Sequence, residues 1–456
     1  MAEIVTIETP ALGDRSYLVH DAEVAVVIDP QRDIDRVLDA AEALGVRVTH
    51  VLETHLHNDY VTGGLALAQR LGAAYVVPEG DQVAFDRVPA RDGDRIATGR
   101  LVVTPVHTPG HTPNHMAYVV GEDGGRQVAV FTGGSMLFGA VGRTDLVADE
   151  RTDELTRAQY RSVRRLATEL PDEVSVHPTH GFGSFCSATK TSGDASTIGQ
   201  ERTQNLALVT EDEDAFVQQL LAGLGAYPSY YVHMGALNAA GPEAPDLSLP
   251  QEVDAEELRR RVAAGEWVVD LRQRQAFARL HMAGTVSIEI GDPFATYFGW
   301  TLPWHAPVTL VGDSREQVAA ARRQLVRIGV DHLAGAAAGD IEEMAGGHTS
   351  RYRVAKFADL AETYGRDGVV VLDVRRPDEW SEGHLAGAAH IPFWELADRV
   401  GEVPDGEVWV HCASGFRASI ASSILDRAGR QAVLIDDDWE QARDVGLPIA
   451  SPTGAA

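Results

Sequence analysis

Val46-Arg-Val-Thr-His-Val-Leu-Glu-Thr-His-Leu-His-Asn-Asp-Tyr60 decides how the first half of this chain is read. Val46–Glu53 has the apolar spacing of a strand, and it runs straight into histidines. His-x-His at a strand end aims His55 and His57 the same way, because alternate side chains share a face, and a metal site needs such convergence. Two further clusters follow: His107-Thr-Pro-Gly-His111-Thr-Pro-Asn-His115 and His177-Pro-Thr-His180-Gly-Phe-Gly-Ser. One histidine alone would serve equally well in a core or as a cap. Three loop clusters within the first 180 residues point to a metal.

Outward from this stretch, strands alternate with helices. Ser16–Val19 and Val24–Ile28 read as a strand pair ending at Asp29. Ile34, Val37, Leu38 and Ala41 have helical spacing over Asp33–Leu44. Gly64–Leu71 reads as a helix and Tyr75–Pro78 as a strand. Strands continue at Tyr118 and Val128–Thr132, followed by helices over Glu150–Leu170 and Asp212–Leu224. Gly241–Pro250 holds three prolines and reads as a linker.

Beyond the linker the chain repeats itself. Trp267-Val-Val-Asp-Leu-Arg leads to His281-Met-Ala-Gly-Thr-Val-Ser-Ile288, and Val370-Val-Leu-Asp-Val-Arg leads to His384-Leu-Ala-Gly-Ala-Ala-His-Ile391. Asp, His, Gly and Ile keep the same spacing in both copies, as a duplicated α/β unit would. Each copy then supplies a strand, a loop and a helix: Pro307–Gly312, Asp313–Glu316 and Gln317–Ile328 in the first, and Glu407–His411, Cys412–Arg417 and Ala418–Arg427 in the second. Two small parallel-sheet domains fit. The segments expected are 1–240, 251–350 and 354–456.

Composition narrows the partners. The net charge is −28, from 67 acidic and 39 basic residues. Nucleic acid and anionic membrane surfaces both require basic patches, so neither is expected. No apolar run is long enough to span a bilayer. The first residues alternate like a strand and lack the pattern of a signal peptide. With two cysteines, Cys186 and Cys412, a disulfide scaffold is not expected, and the reducing cytoplasm is.

Cys412 lies in Val410-His-Cys-Ala-Ser-Gly-Phe-Arg417, after a strand and before a helix. A thiolate there faces backbone N–H groups and the positive end of the helix. Arg417 would add a cation. Such surroundings lower a cysteine pKa from about 8.5 to roughly 3.5–7.5. Cys412 and Arg417 are therefore the expected catalytic pair, with Ala413, Ser414, Gly415 and Phe416 binding substrate. Four residues separate Cys412 from Arg417. That is one fewer than in phosphate-hydrolysing loops, so a sulfur-transferring loop fits better.

Asp373-Val-Arg-Arg-Pro-Asp-Glu-Trp-Ser-Glu-Gly-His384-Leu-Ala-Gly-Ala and Cys412-Ala-Ser-Gly-Phe-Arg417 resemble the rhodanese sulfurtransferases. Asp373 and His384 read as structural. The first copy has Asp313 at the cysteine position and looks like a rhodanese fold without its nucleophile. Thr54-His-Leu-His-Asn-Asp and Thr108-Pro-Gly-His111-Thr resemble the metallo-β-lactamase superfamily, which implies an αββα sandwich. Gly142-Arg-Thr-Asp145-Leu, His180-Gly-Phe-Gly-Ser-Phe-Cys186 and Ser196-Thr-Ile-Gly resemble its persulfide dioxygenase branch. The whole order resembles the fused persulfide dioxygenase–rhodaneses.

The resemblance implies one iron(II) held by two histidines, matching His55 and His111, and by an aspartate whose position falls on Gly134. Tyr60 stands where many superfamily members have a histidine. With glycine at 134, a water or His57 must complete the site. An all-histidine set of His55, His57 and His111 suits iron, and zinc also. Cys186 is expected to line the pocket or to be a buried thiol, and Arg143 and Asp145 to order their own loop. The implied chemistry is oxidation of a low-molecular-weight thiol persulfide to sulfite, with Cys412 passing sulfane sulfur among the thiol, sulfite and thiosulfate. Two alternatives remain open: a zinc thioester hydrolase in which Asp59 and His180 build a second metal site, and a non-catalytic first domain. Self-association into a homo-oligomer is compatible with the sequence.

Overall fold

The computed structural model describes residues 2–122, 124–188, 191 and 193–450. Residues 451–456, the end of the segment expected from 354, lie outside these. The chain divides into two compact units, 1–246 with 325–329, and 247–324 with 330–456. Among the described residues, no helix is long and apolar enough to cross a membrane.

The first unit contains two six-stranded sheets. One runs in chain order through Glu3–Thr9, Asp14–His20, Val24–Ile28, Arg47–Leu52, Ala74–Pro78 and Val88–Ala90. The other runs Ser196–Thr197, Ser175–Pro178, Gln127–Gly133, Met116–Glu122, Leu101–His107 and Ile96–Thr98. Side-chain alternation sets the layers. In Val24–Ile28, Val26 and Ile28 face the other sheet and meet Val103, Tyr118 and Phe131 in one core cluster. Ala25 and Val27 face outward against Val37, Ala41, Leu67 and Ala68 of the helices Asp35–Leu44 and Gly64–Leu71. A strand buried on both faces has to be apolar throughout, which is why Val-Ala-Val-Val-Ile shows no polar alternation. On the far side, Val119 and Val130 pack against Tyr160, Val163 and Leu166 of the Thr152–Glu169 helix. The result is the expected αββα sandwich. The expected Asp212–Leu224 helix spans Glu213–Gly223, with Asp212 as its N-cap accepting from Ala215 N–H.

Four chain segments turn at one end of this sandwich. Val24–Ile28 and Arg47–Leu52 are parallel neighbours, as are Gln127–Gly133 and Ser175–Pro178. Asp29, Glu53–His57, Gly134 and His180 therefore emerge together. The loop between Leu101–His107 and Met116–Glu122 returns there too, tied by Met116 N–H to Thr54 O at 2.8 Å.

The second unit holds two parallel sheets of matching order. The first reads Val286–Ser287, Trp267–Asp270, Val308–Gly312 and Gly335–Ala338; the second reads Ala389–His390, Val369–Asp373, Glu407–His411 and Ala432–Ile435, with Arg353–Ala355 added at the edge. In the first, the lone parallel bridge Glu252–Ala336 stands where that edge strand would be. The repeated residues do repeated work. Asp270 accepts from Arg272 at 2.7 Å and Asp373 from Arg375 at 2.6 Å. His281 stacks on Phe277 at 3.8 Å and His384 on Trp380 at 3.6 Å. The repeated Asp and His thus brace each strand end. Asp313 follows the Val308–Gly312 strand, its N–H bonded to Gln317 Oε1 at 2.7 Å.

Candidate functional site

This end of the first unit carries fully buried imidazoles: His55, His57, His111 and His180. Their partners fix which ring nitrogen holds the proton. Thr54 Oγ1 donates to Asp29 Oδ2 at 2.7 Å, so it accepts from His55 Nδ1–H at 2.8 Å. His55 Nε2 keeps its lone pair, which faces His180 Nε2. His111 Nδ1–H donates to the Arg143 carbonyl at 2.7 Å, and His111 Nε2 is buried without a protein partner. His57 faces its Nε2–H toward Asp29 Oδ1 at 3.3 Å and Glu53 Oε2 at 3.2 Å, which leaves Nδ1 buried and unpartnered. His180 turns Nδ1–H to Asp14 Oδ1 at 2.9 Å and Asp59 Oδ2 at 3.2 Å. Outer carboxylates and carbonyls of this kind orient imidazole ligands.

Two groups of donor atoms, each within 4.8 Å of one another, share His180: His55–His57–His180 and His111–His180–Cys186. Asp14–Asp59–His180 forms a third. His55 Nε2 lies 3.3 Å from His180 Nε2, close to the separation of about 3.3 Å that two imidazole nitrogens take on a tetrahedral ion. The unpartnered His57 Nδ1 and His111 Nε2 and the His55–His180 spacing fit a divalent cation, which would displace the protons that His57 and His180 hold without it. The expected trio of His55, His57 and His111 therefore meets through His180.

Charge follows the same pattern. Burial, reinforced by the neighbouring imidazoles, holds His55 well below the usual imidazole range and His111 at about 3. Both rings are neutral. Burial acts on His57 too, but Asp29 and Glu53 outweigh it and lift the ring to about 9. Asp59 and Asp14 likewise raise His180 despite its burial. Burial, and then the Asp59 charge, push Asp14 up to about 7.

Asp14, Asp29 and Glu53 are the site residues that sequence reasoning missed as a group. Asp29 sits at φ +50°, a left-handed conformation that costs a non-glycine residue about 1 kcal/mol or more. Its carboxylate offsets this by accepting from Thr54 N–H at 2.7 Å, from Thr54 Oγ1 and from Thr179 Oγ1. The strand end at Asp29 was legible; its link to the histidines was not.

At Gly134 the space a side chain would take is filled by an imidazole. A Cβ there would fall 2.2 Å from His111 Cδ2 and 2.7 Å from His111 Nε2. The His111 ring rests against the Gly134 backbone. Gln159 clamps the pair, accepting from His111 N–H at 2.8 Å and donating to Gly134 O at 3.1 Å. Tyr60 stacks on His57 with ring centres 4.3 Å apart and its hydroxyl 2.9 Å from Nε2, so it buttresses that imidazole. Tyr118 belongs to the inter-sheet core, its hydroxyl donating to Glu53 O at 2.8 Å. Arg143 grips Asp145 through two 2.7 Å bonds and orders its loop. Cys186 is fully buried beside His111 and His180.

In the second unit, Cys412 ends the Glu407–His411 strand and the Phe416–Arg427 helix follows. Sγ accepts from Gly415 N–H at 3.2 Å and Ala418 N–H at 3.4 Å. Ala418 lies outside the expected set. Ser414 is exposed, and Ala413 O accepts from Trp439 N–H at 2.8 Å. Gly415 has φ +91°, and a Cβ there would come within 2.2 Å of Asp436 Oδ1, so only glycine fits. Arg417, expected to add a cation beside Cys412, is held by a counter-charge. Its guanidinium grips Glu379 at 2.5 and 2.8 Å, and both side chains are largely buried. Backbone N–H groups face Sγ directly, while the Arg417 charge is offset by its partner.

Residues 11–180 match the metallo-beta-lactamase superfamily, and residues 356–443 match the rhodanese-like domain. The mitochondrial persulfide dioxygenase ETHE1 of Homo sapiens is 28% identical over 243 residues, covering 53% of this chain and 81% of that protein. A hydroxyacylglutathione hydrolase of Rhizobium johnstonii is 32% identical over 170 residues, covering 36% of this chain and 61% of the hydrolase. A metallo-beta-lactamase crystal structure from Staphylococcus aureus subsp. aureus COL has 26% identity and a TM-score of 0.66, covering 74% of this chain and 99% of that one. The chain thus joins a metallo-beta-lactamase domain to a C-terminal rhodanese domain. Persulfide dioxygenases are among its homologues, which together with the rhodanese-like domain supports a role in sulfur metabolism.

Proposed function

We propose that the first unit oxidises the outer sulfur of a low-molecular-weight thiol persulfide to sulfite, and that Cys412 passes sulfane sulfur between the thiol, sulfite and thiosulfate. The observation that carries this reading is the buried set of His55, His57, His111 and His180, with His57 Nδ1 and His111 Nε2 free of protein partners and His55 Nε2 facing His180 Nε2, in one chain with the Cys412 loop.

The donors would be His55 Nε2, His57 Nδ1 and His111 Nε2, with His180 Nε2 adjoining and Asp59 beside it. Bound iron(II) supplies the redox chemistry by which oxygen oxidises sulfur. The overall change balances as RSSH + O2 + H2O giving RSH, sulfite and two protons. The protein's own groups orient the imidazoles through Asp29, Glu53 and Asp14, and the packed end of the sandwich keeps bulk water out. At Cys412, the thiolate attacks the outer sulfur of thiosulfate. The S–S bond of the donor breaks, and sulfite leaves with the electron pair. The new persulfide anion rests on Gly415 N–H and Ala418 N–H. An acceptor thiolate then takes the sulfane sulfur and frees Cys412. In this reading residues 251–350 are a rhodanese-type domain that carries no sulfur.

A second reading has one observation in its favour. Asp14, Asp59 and His180 form a donor group beside the imidazoles, as a two-metal thioester hydrolase would need. Anaerobic purification with metal analysis, followed by oxygen uptake on thiol persulfides, separates the two. About one iron per chain with persulfide-dependent uptake supports the dioxygenase. Two zinc ions with thioester cleavage and no uptake support the hydrolase.

A further inference from the structure

The first copy of the repeat holds no cysteine, yet it bears on the cysteine loop of the second at two consecutive residues, on Gly415 through Asp436 and on Phe416 directly. Arg274, at the start of the Arg274–Arg279 helix, donates Nε–H to Asp436 Oδ1 at 2.7 Å. Gln275 of the same helix donates to Asp436 Oδ2. Asp436 follows the Ala432–Ile435 strand, is only 8% exposed, and is also fixed by its N–H to Ala355 O at 3.0 Å. Its Oδ1 lies where a side chain on residue 415 would go. Asp436 thus backs Gly415, whose N–H is one of the two that reach Cys412 Sγ. At the next residue, the Phe416 ring meets Tyr297 of the first copy at 5.1 Å, and Tyr297 meets Phe393 at 5.3 Å. Glu289 holds Arg274 from its other side, accepting from its N–H at 2.8 Å and from its guanidinium.

A strut needs fixed ends, and both are fixed here. Charge-assisted bonds on both carboxylate oxygens of Asp436 restrict its rotation. Gly415 has no side chain to keep the carboxylate away from its backbone. Losing the Arg274 bond would let Asp436 turn and let Gly415 relax, and the N–H aimed at Sγ would move with it. Misplacement on the ångström scale is enough to cost a reacting group much of its rate.

We propose that the cysteine-free copy is a working part of the sulfur-carrier site, with Arg274 and Tyr297 as positioning residues that hold Gly415 and Phe416 so that backbone N–H groups converge on Cys412. The proposal rests on Cys412 being the sulfur carrier and gives its inactive neighbour a defined task. The test uses the full chain with Arg274→Gln, Arg274→Lys and Tyr297→Leu. Alkylation of the Cys412 peptide is followed by mass spectrometry against pH, alongside thiosulfate-dependent sulfur transfer. Arg274→Gln is expected to raise the pH midpoint of alkylation by roughly one unit and to lower kcat/KM roughly tenfold, with Arg274→Lys recovering most of both. Tyr297→Leu reads the second contact independently and is expected to lower kcat/KM in the same direction. Folded Arg274→Gln and Tyr297→Leu proteins with wild-type midpoint and kcat/KM would overturn the proposal, as would a change in thermal stability alone. A wild-type chain without sulfur transfer would refute the Cys412 reading instead, and the alkylation midpoints would still test the strut.

Discussion

His55 Nε2 and His180 Nε2 face each other at 3.3 Å in a pocket closed to solvent. Both rings are oriented from behind, His55 by Thr54 and His180 by Asp14 and Asp59. Two lone pairs at that distance repel unless a proton or a cation lies between them. Asp14→Asn keeps the size of the side chain and removes the charge that orients His180. It is expected to weaken divalent-metal affinity roughly tenfold, measured by competition with a chromophoric chelator. Unchanged affinity would take His180 out of the donor set.

Gly134→Ala tests whether His111 is a ligand. The added methyl group collides with the ring at Cδ2, 2.2 Å away, so the imidazole has to leave its place. Metal occupancy after purification is expected to fall severalfold, because overpacking displaces side chains at a cost of about 1–3 kcal/mol. Gly134→Asp adds a carboxylate but meets the same collision, so it too is expected to lower metal affinity. An iron site strengthened by Gly134→Asp would contradict this geometry.

Cys412→Ser is expected to abolish thiosulfate-dependent sulfur transfer, because a hydroxyl cannot hold a sulfane sulfur. Metal content should stay at the wild-type level, since the imidazole cluster belongs to the other compact unit. Colorimetric assay of thiocyanate or of thiol persulfide reads the first, and elemental analysis the second. Transfer retained in the variant would remove Cys412 from the carrier role.

Glu379→Gln separates the two functions of Arg417. With Glu379 neutral, the guanidinium loses its counter-charge and presents net positive charge beside the loop. KM for thiosulfate is expected to fall, while stability drops by about 1–3 kcal/mol because a largely buried ion pair loses one partner. Steady-state kinetics and denaturant unfolding measure both. A KM that rises or stays level would mean that the Arg417 charge does not reach the donor.

The sequence revealed what is contiguous. His55 and His57 are legible because strand period 2 puts both rings on one side, and Cys412 because its loop lies between a recognisable strand and helix. The repeat exposed Asp373 and His384 as braces by their counterparts Asp270 and His281. What stayed hidden depends on distant pairings. Asp14 meets His180 across 166 residues and Arg274 meets Asp436 across 162, and no local spacing announces either. Gly134 was read from the carboxylate it lacks; the ring packed against it, from 23 positions earlier in the chain, carries the physical meaning.

The most direct test follows sulfur through the full chain. A thiol persulfide labelled at its outer sulfur is supplied, in air, to iron-loaded protein. Label is expected in sulfite and in thiosulfate with the wild type, and in sulfite alone with Cys412→Ser, with oxygen consumed one-for-one with the sum of sulfite and thiosulfate in each case. Sulfite and oxygen uptake no greater than in a protein-free control would contradict it.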